Sequence, residues 1–188
     1  YASDPVGKMG RAAFASSMLT EGAGDLSSTA FRRALEEKAI TLDISAEEDR
    51  LNVHVYCLRE HAARAGELLA RALSSPRFEE ADQARMKADI NSLRTRLEEQ
   101  PAYLAKRQWV NKAFLSHPYA NVPYGTTASM AALTAQDVHE YLRTYVTRGN
   151  MLVAASGDVD SGILDALLEP VVEALATNDN GAVGVSPV

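Results

Sequence analysis

A chain of 188 residues that is 46% apolar can bury the core of one domain, or of two small ones at most. Its 19 Lys and Arg against 25 Asp and Glu give a net charge of −6 with no basic cluster longer than Arg32-Arg33, which disfavours nucleic acid as a partner. The single Cys57 excludes an internal disulfide and a multi-cysteine zinc site, and no apolar run approaches the roughly 18 residues of a membrane span.

No signal peptide is recognisable. The chain opens on Tyr1 rather than Met, which fits a processed form or a fragment and makes a missing export signal uninformative. Residues 1–10 read as a loop, with Asp4-Pro5 and Gly7 as turn formers. The spacing predicts a helix over Met9–Thr20, with Phe14, Met18 and Ala15 inward. Gly22 and Gly24 are expected to end it, since glycine accepts the left-handed conformation past a helix terminus. Ser27 or Ser28 can cap a second helix to about Lys38, with Phe31 and Leu35 on one face.

The period then changes. Ile40, Leu42 and Ile44 alternate with polar residues, as do Leu51, Val53, Val55 and Cys57; the polar turn Glu47–Arg50 joins them into a predicted antiparallel hairpin. Helical patterns follow over His61–Ser74, over Glu79–Glu99 and from Pro101 to about Leu115. Ser116–Thr127 reads as a long loop, and Thr134 to Asp137 as a capping box opening a helix over Ala135–Tyr145. Asn150–Ser156 is an apolar run read as a buried strand. Ile163–Leu175 is a last amphipathic segment, expected to be interrupted or kinked near Pro170. Strands clustered rather than alternating with helices predict an α+β fold with a mostly antiparallel sheet packed by helices. The expected organisation is one domain over 1–176 and a flexible tail over 177–188.

Five segments in order carry a family resemblance: DPVGKMGRAAFASSMLTEGAG from Asp4, the hairpin, SSPRFEEAD from Ser74, SHPYANVPYGT from Ser116, and DVHEYLRTYVTRGNMLVAASGDVD from Asp137. Together they resemble a domain of the insulinase (pitrilysin) superfamily of zinc metallopeptidases, over roughly residues 4–170. The resemblance implies an α/β sandwich that works in pairs, within one chain or across subunits, around a chamber for unfolded peptides. In active members the first helix carries H-x-x-E-H, two zinc ligands around a general base. Those places fall here on Ala13, Ser16 and Ser17, none of which can ligate zinc or take a proton from water near neutral pH. The resemblance is therefore to the non-peptidase form.

Nothing else in the sequence restores a site. The histidines, His54, His61, His117 and His139, include no i, i+4 pair. The downstream acidic ligand of active members maps near Ser92 or Leu93, with Asp89 the closest carboxylate and expected at the surface. Glu21 is expected as a solvated residue at a helix end. Ser16 and Ser17 have no evident base, and Cys57 reads as a buried thiol. Tyr119 and Tyr124, in a loop stiffened by Pro118 and Pro123, are the candidate contacts to a partner domain or peptide. The expectation is a chain with no catalytic residues and no metal, zinc belonging only to an active H-x-x-E-H partner. The alternative is a structural assembly subunit without proteolytic role. Likeness to exported bacterial pairs points to the periplasm, with the cytoplasm as alternative.

Overall fold

The first helix, α1 (Arg11–Met18), lies at the centre of the molecule because nearly every side chain on it is small or apolar. Ala12, Phe14, Ala15 and Met18 are fully buried, as the spacing predicted. The computed structural model describes residues 1–177; the expected tail lies, from residue 178 on, outside the described residues. The amino end of α1 is capped from a distance. The Asp4 carboxylate accepts from the Gly10 N–H at 3.0 Å and the Ala12 N–H at 3.1 Å, satisfying donors that a helix terminus leaves without partners. The chain then turns at Leu19 in ordinary helical geometry, so Gly22 and Gly24 do not end the helix as expected. They shape a small ribbon instead: β1 (Gly22–Ala23) pairs antiparallel with β2 (Leu26–Ser27), and Gly24, at φ 57°, makes the reversal.

Ser27 caps α2 (Ser28–Glu36) by accepting from the Ala30 N–H. Phe31 of α2 is buried with Ala23, Ile40, Leu68 and Ala72. β3 (Thr41–Ala46) and β4 (Leu51–Tyr56) form the expected hairpin, paired from Thr41↔Tyr56 to Ala46↔Leu51. Its alternation holds: Leu42, Ile44, Val53 and Val55 pack on the core, while Asp43, Ser45, His54 and Tyr56 face solvent.

A single 3₁₀ turn leads into α3 (Ala62–Ser74), followed by α4 (Glu80–Glu98) and α5 (Pro101–Phe114). The long loop contains a 3₁₀ turn at Pro118–Ala120 and ends in α6 (Thr127–Ala132), a short helix that the sequence reading did not contain. α7 (Ala135–Tyr145) starts with the predicted box, Thr134 and Asp137 each bonding the other's backbone. α8 (Ser161–Ala174) runs through Pro170 without interruption. Its inner residue Val171 is buried and the helix lies along α3. The contact is backbone to backbone: a Cβ on Gly66 would sit 2.1 Å from the Leu167 carbonyl oxygen.

The described residues are 58% helical with small antiparallel sheets, the α+β class expected. One strand is missing from that expectation. Residues 151–156 form no strand and are exposed. Among the described residues β4 pairs with β3 alone, and a groove separates the 151–156 segment from β4. An apolar run reports an extended preference; a strand also needs a neighbouring backbone, and none lies beside it.

Candidate functional site

On α1 the three diagnostic positions lie together, and the side chains there are turned into the helix itself. Ser16 Oγ and Ser17 Oγ both donate to the Ala13 carbonyl at 2.9 Å. Ser16 is 6% exposed, Ala13 is buried and Ser17 half-buried. The face is thus largely packed. A methyl group and two hydroxyls bonded to one backbone carbonyl do not fit zinc, which takes imidazole, thiolate or carboxylate.

α4 packs against α1, as a helix bearing a third ligand would. What it presents there is a cation. Lys87 Nζ stands 5.3 Å above the Phe14 ring and donates to the Leu133 carbonyl. Ser92 and Asp89 are exposed and Leu93 is half-buried. A positive charge at this contact repels a divalent ion. Among the described residues no three His, Cys, Asp or Glu side chains gather into a metal-holding group.

Glu21 is not the solvated residue expected. It is 6% exposed, accepts from Ser28 Oγ at 2.6 Å and pairs with Arg85 and Arg32. The chain folds back at β1 and carries it under α2 and α4. A carboxylate that meets a hydroxyl and two guanidinium groups from α2 and α4 is an anchor between elements.

The histidines are dispersed. His54 is exposed on β4 beside Tyr56, and His61 lies 3.7 Å from the Glu60 carboxylate. His139 is exposed, with Phe78 edge-on at 4.8 Å. His117 Nδ1 accepts from the Tyr119 N–H at 3.2 Å, holding the loop turn. Cys57 is half-buried rather than buried, because it lies past the paired part of β4. Burial pushes its thiol up, away from the reactive thiolate.

The two loop tyrosines go different ways. The Tyr119 hydroxyl donates to Asp49 Oδ2 at 2.6 Å, which ties the loop to the hairpin turn and raises the phenol above its usual range. Phe114 and His117 meet its ring edge-on. Tyr124 packs toward the main core where Gly10 and Gly125 let two chain segments touch. At Gly125, φ is 61° and a Cβ would meet the Met9 carbonyl oxygen at 2.1 Å, so the loop motif closes over the entry to α1. The sequence reading missed the neighbouring surface. α5 buries none of its side chains, and Trp109 is 63% exposed. Leu104 and Leu115 are exposed as well. The sequence predicts a helix from Pro101 to about Leu115 without saying which of its residues are exposed.

A capped first helix over a hairpin, a long helix across it and a loop locked at its amino end make up the fold around a helix face without metal ligands. The resemblance drawn from the motifs is borne out by relatives. No family model matches the chain. In sequence it is similar to the non-peptidase homolog YmxG of Helicobacter pylori, 26% identical over 152 residues, covering 81% of this chain and 35% of that protein. In structure it is similar to a peptidase M16 inactive domain from Pseudomonas fluorescens, with a TM-score of 0.84, 22% identity, and coverage of 94% of this chain and 43% of that one. A protease from Helicobacter pylori gives 0.81 at 18% identity, covering 97% and 45%. The periplasmic protease PqqL of Escherichia coli gives 0.81 at 13% identity, covering 98% and 21%. The chain thus spans about a third of the curated relative and less than half of each of these structures. No helix of the described residues is long and apolar enough to cross a membrane.

Proposed function

We propose that this chain is the non-catalytic half of an insulinase-type zinc peptidase. It pairs with an active H-x-x-E-H half, in the same polypeptide or in a separate subunit, and supplies one wall of a peptide chamber. The observation that carries this is the trio Ala13, Ser16 and Ser17, a methyl group and two hydroxyls that both donate to the Ala13 carbonyl. Likeness to a protein named a non-peptidase homolog, and to an inactive domain in fold, supports it. Residues 1–176 act as one domain in this reading. Zinc resides only in the partner, and likeness in fold to a periplasmic protease supports the periplasm as compartment. Exposed Trp109 and Leu104 on α5, with Tyr119 and Tyr124 beside them in sequence, are the surface assigned to partner or peptide.

The test is co-purification from the native source, then assay of the chain and the captured protein, separately and mixed, on a quenched peptide library. The expected result is a captured protein bearing H-x-x-E-H, no cleavage by this chain alone, and cleavage that Trp109→Ala reduces by weakening assembly. Chelator-sensitive cleavage by the purified chain on its own would overturn the reading.

A further inference from the structure

α5 carries two apolar stripes, and the fold of the described residues uses one of them. Tyr103, Val110 and Phe114 recur at helical spacing and are half-buried toward α4 and the Pro118–Ala120 turn. Ala102, Ala105, Trp109 and Ala113 recur at the same spacing on another face, and all four are exposed. This second stripe is about 17 Å long. Phe114 meets the Trp109 ring edge-on at 6.2 Å and supports it from one side.

The charges around the second stripe are of one sign. α5 contains Lys106, Arg107 and Lys112 and no Asp or Glu. By helical spacing the two lysines fall on opposite flanks of Trp109. Elsewhere on the surface a guanidinium meets a carboxylate a few residues away, as in Arg33–Glu37, Arg50–Glu47, Arg64–Glu67 and Arg77–Glu79. Arg107 donates instead to the Ala120 and Asn121 carbonyls. Among the described residues neither Lys106 nor Lys112 forms an ion pair, and Glu48 feels Lys106 only from a distance. A chain of net charge −6 thus gathers unmatched positive charge around an indole.

Leu115 is an independent sign. The turn after α5 closes where the His117 N–H donates to the Phe114 carbonyl at 2.7 Å, and Leu115 takes its first central position at φ 48° and ψ −111°. That is the type II′ geometry, in which glycine is the usual residue because a Cβ is strained there. Burial does not offset the strain, since Leu115 is 77% exposed.

These features specify an occupant. Alanines on either side of a tryptophan let a second helix approach closely while the indole fills the space between its side chains. Trp and Lys would also draw an anionic membrane, but that attraction scales with buried apolar area, and alanines offer little. Lysines that lack carboxylates call for carboxylates on whatever covers them.

We infer that α5 is a docking helix for an amphipathic helix of a partner protein, whose apolar seam covers Trp109 and Leu115 and whose Asp and Glu meet Lys106 and Lys112. This docking rests on the assignment of α5 to a partner made above and names what that partner presents there, in the same polypeptide or another.

The test places the photocrosslinking residue p-benzoylphenylalanine at Ala105 of the protein in its native cells, with exposed Lys38 as the control position. A crosslinked product is expected from Ala105 and not from Lys38. Sequenced by mass spectrometry, the captured peptide is expected to hold apolar residues at helical spacing, flanked by more Asp and Glu than Lys and Arg. K106E/K112E is expected to lower the yield about fivefold or more with circular dichroism unchanged. Leu115→Gly is expected to lower the yield while raising the urea midpoint of the purified chain, an outcome that a purely structural leucine would not give. A crosslink to lipid, to a second copy of this chain or to a basic or non-helical segment would overturn the inference. So would no product from Ala105, or a yield that neither variant changes. The two readings fail separately. An acidic helix captured from a protein without H-x-x-E-H removes the peptidase pairing alone, and an H-x-x-E-H half that co-purifies but is never reached from Ala105 removes this docking alone.

Discussion

Gly66 shows how much one hydrogen atom decides. In an exposed helix interior, glycine to alanine stabilises by about 1 kcal/mol. Here the new methyl would be driven into the Leu167 carbonyl, so α3 and α8 must part. Gly66→Ala is expected to lower stability by about 1–3 kcal/mol, read as an earlier urea midpoint at unchanged m. A gain would mean that α3 and α8 do not touch there. Asp137 makes the second case. Burial alone would raise its carboxyl, but bonds from Lys8 and Thr134 outweigh that and hold it below the usual carboxylate range. A carboxylate depressed by folding stabilises fully above its unfolded value of about 3.9, and that contribution is lost as pH falls through the lower folded value. Asp137→Ala is expected to cost about 1–3 kcal/mol at pH 7, with the gap in Tm from wild type narrowing below pH 4. A gap independent of pH would remove the charge from the explanation. The Thr134–Asp137 box was legible because its partners are three residues apart. Asp4 and Glu21 were not: their partners come from other segments, and a sequence window sees neither Arg85 beside Glu21 nor the turn that carries Asp4 over α1.

At the scale of elements, helices and the hairpin could be read because each buries one face and the periodicity records which. Failures came where an element depends on something beside it. Residues 151–156 have strand chemistry and, among the described residues, no backbone paired alongside. α6 is six residues long, too short for a period, and is fixed by its box, in which Thr126 and Ser129 bond each other. α8 crosses Pro170 because packing on α3 outweighs a local preference against helix. That preference should be recoverable: Pro170→Ala restores an N–H to the helix interior and is expected to raise Tm, by up to about 3 kcal/mol of added stability. Lowered stability would mean that the proline ring itself fills the α8 contact. The inward face of α1, with Phe14, Ala15 and Met18 buried, was legible because helical spacing records it.

At the scale of the whole molecule, motif order fixed the fold better than any single motif did, and composition excluded whole classes of partner. What composition could not give was surface: α5 has the residues of a buried helix and exposes Trp109, and the groove beside β4 is visible only once α3, α8 and β4 are placed together. The proposed function rests on the face of α1. Equilibrium dialysis of the purified chain against micromolar zinc, followed by metal analysis per mole of protein, tests that face directly. Far less than one zinc per chain is expected, unchanged by Ser16→Ala and Ser17→Ala. One tightly held zinc per chain, lost on either substitution, would contradict it.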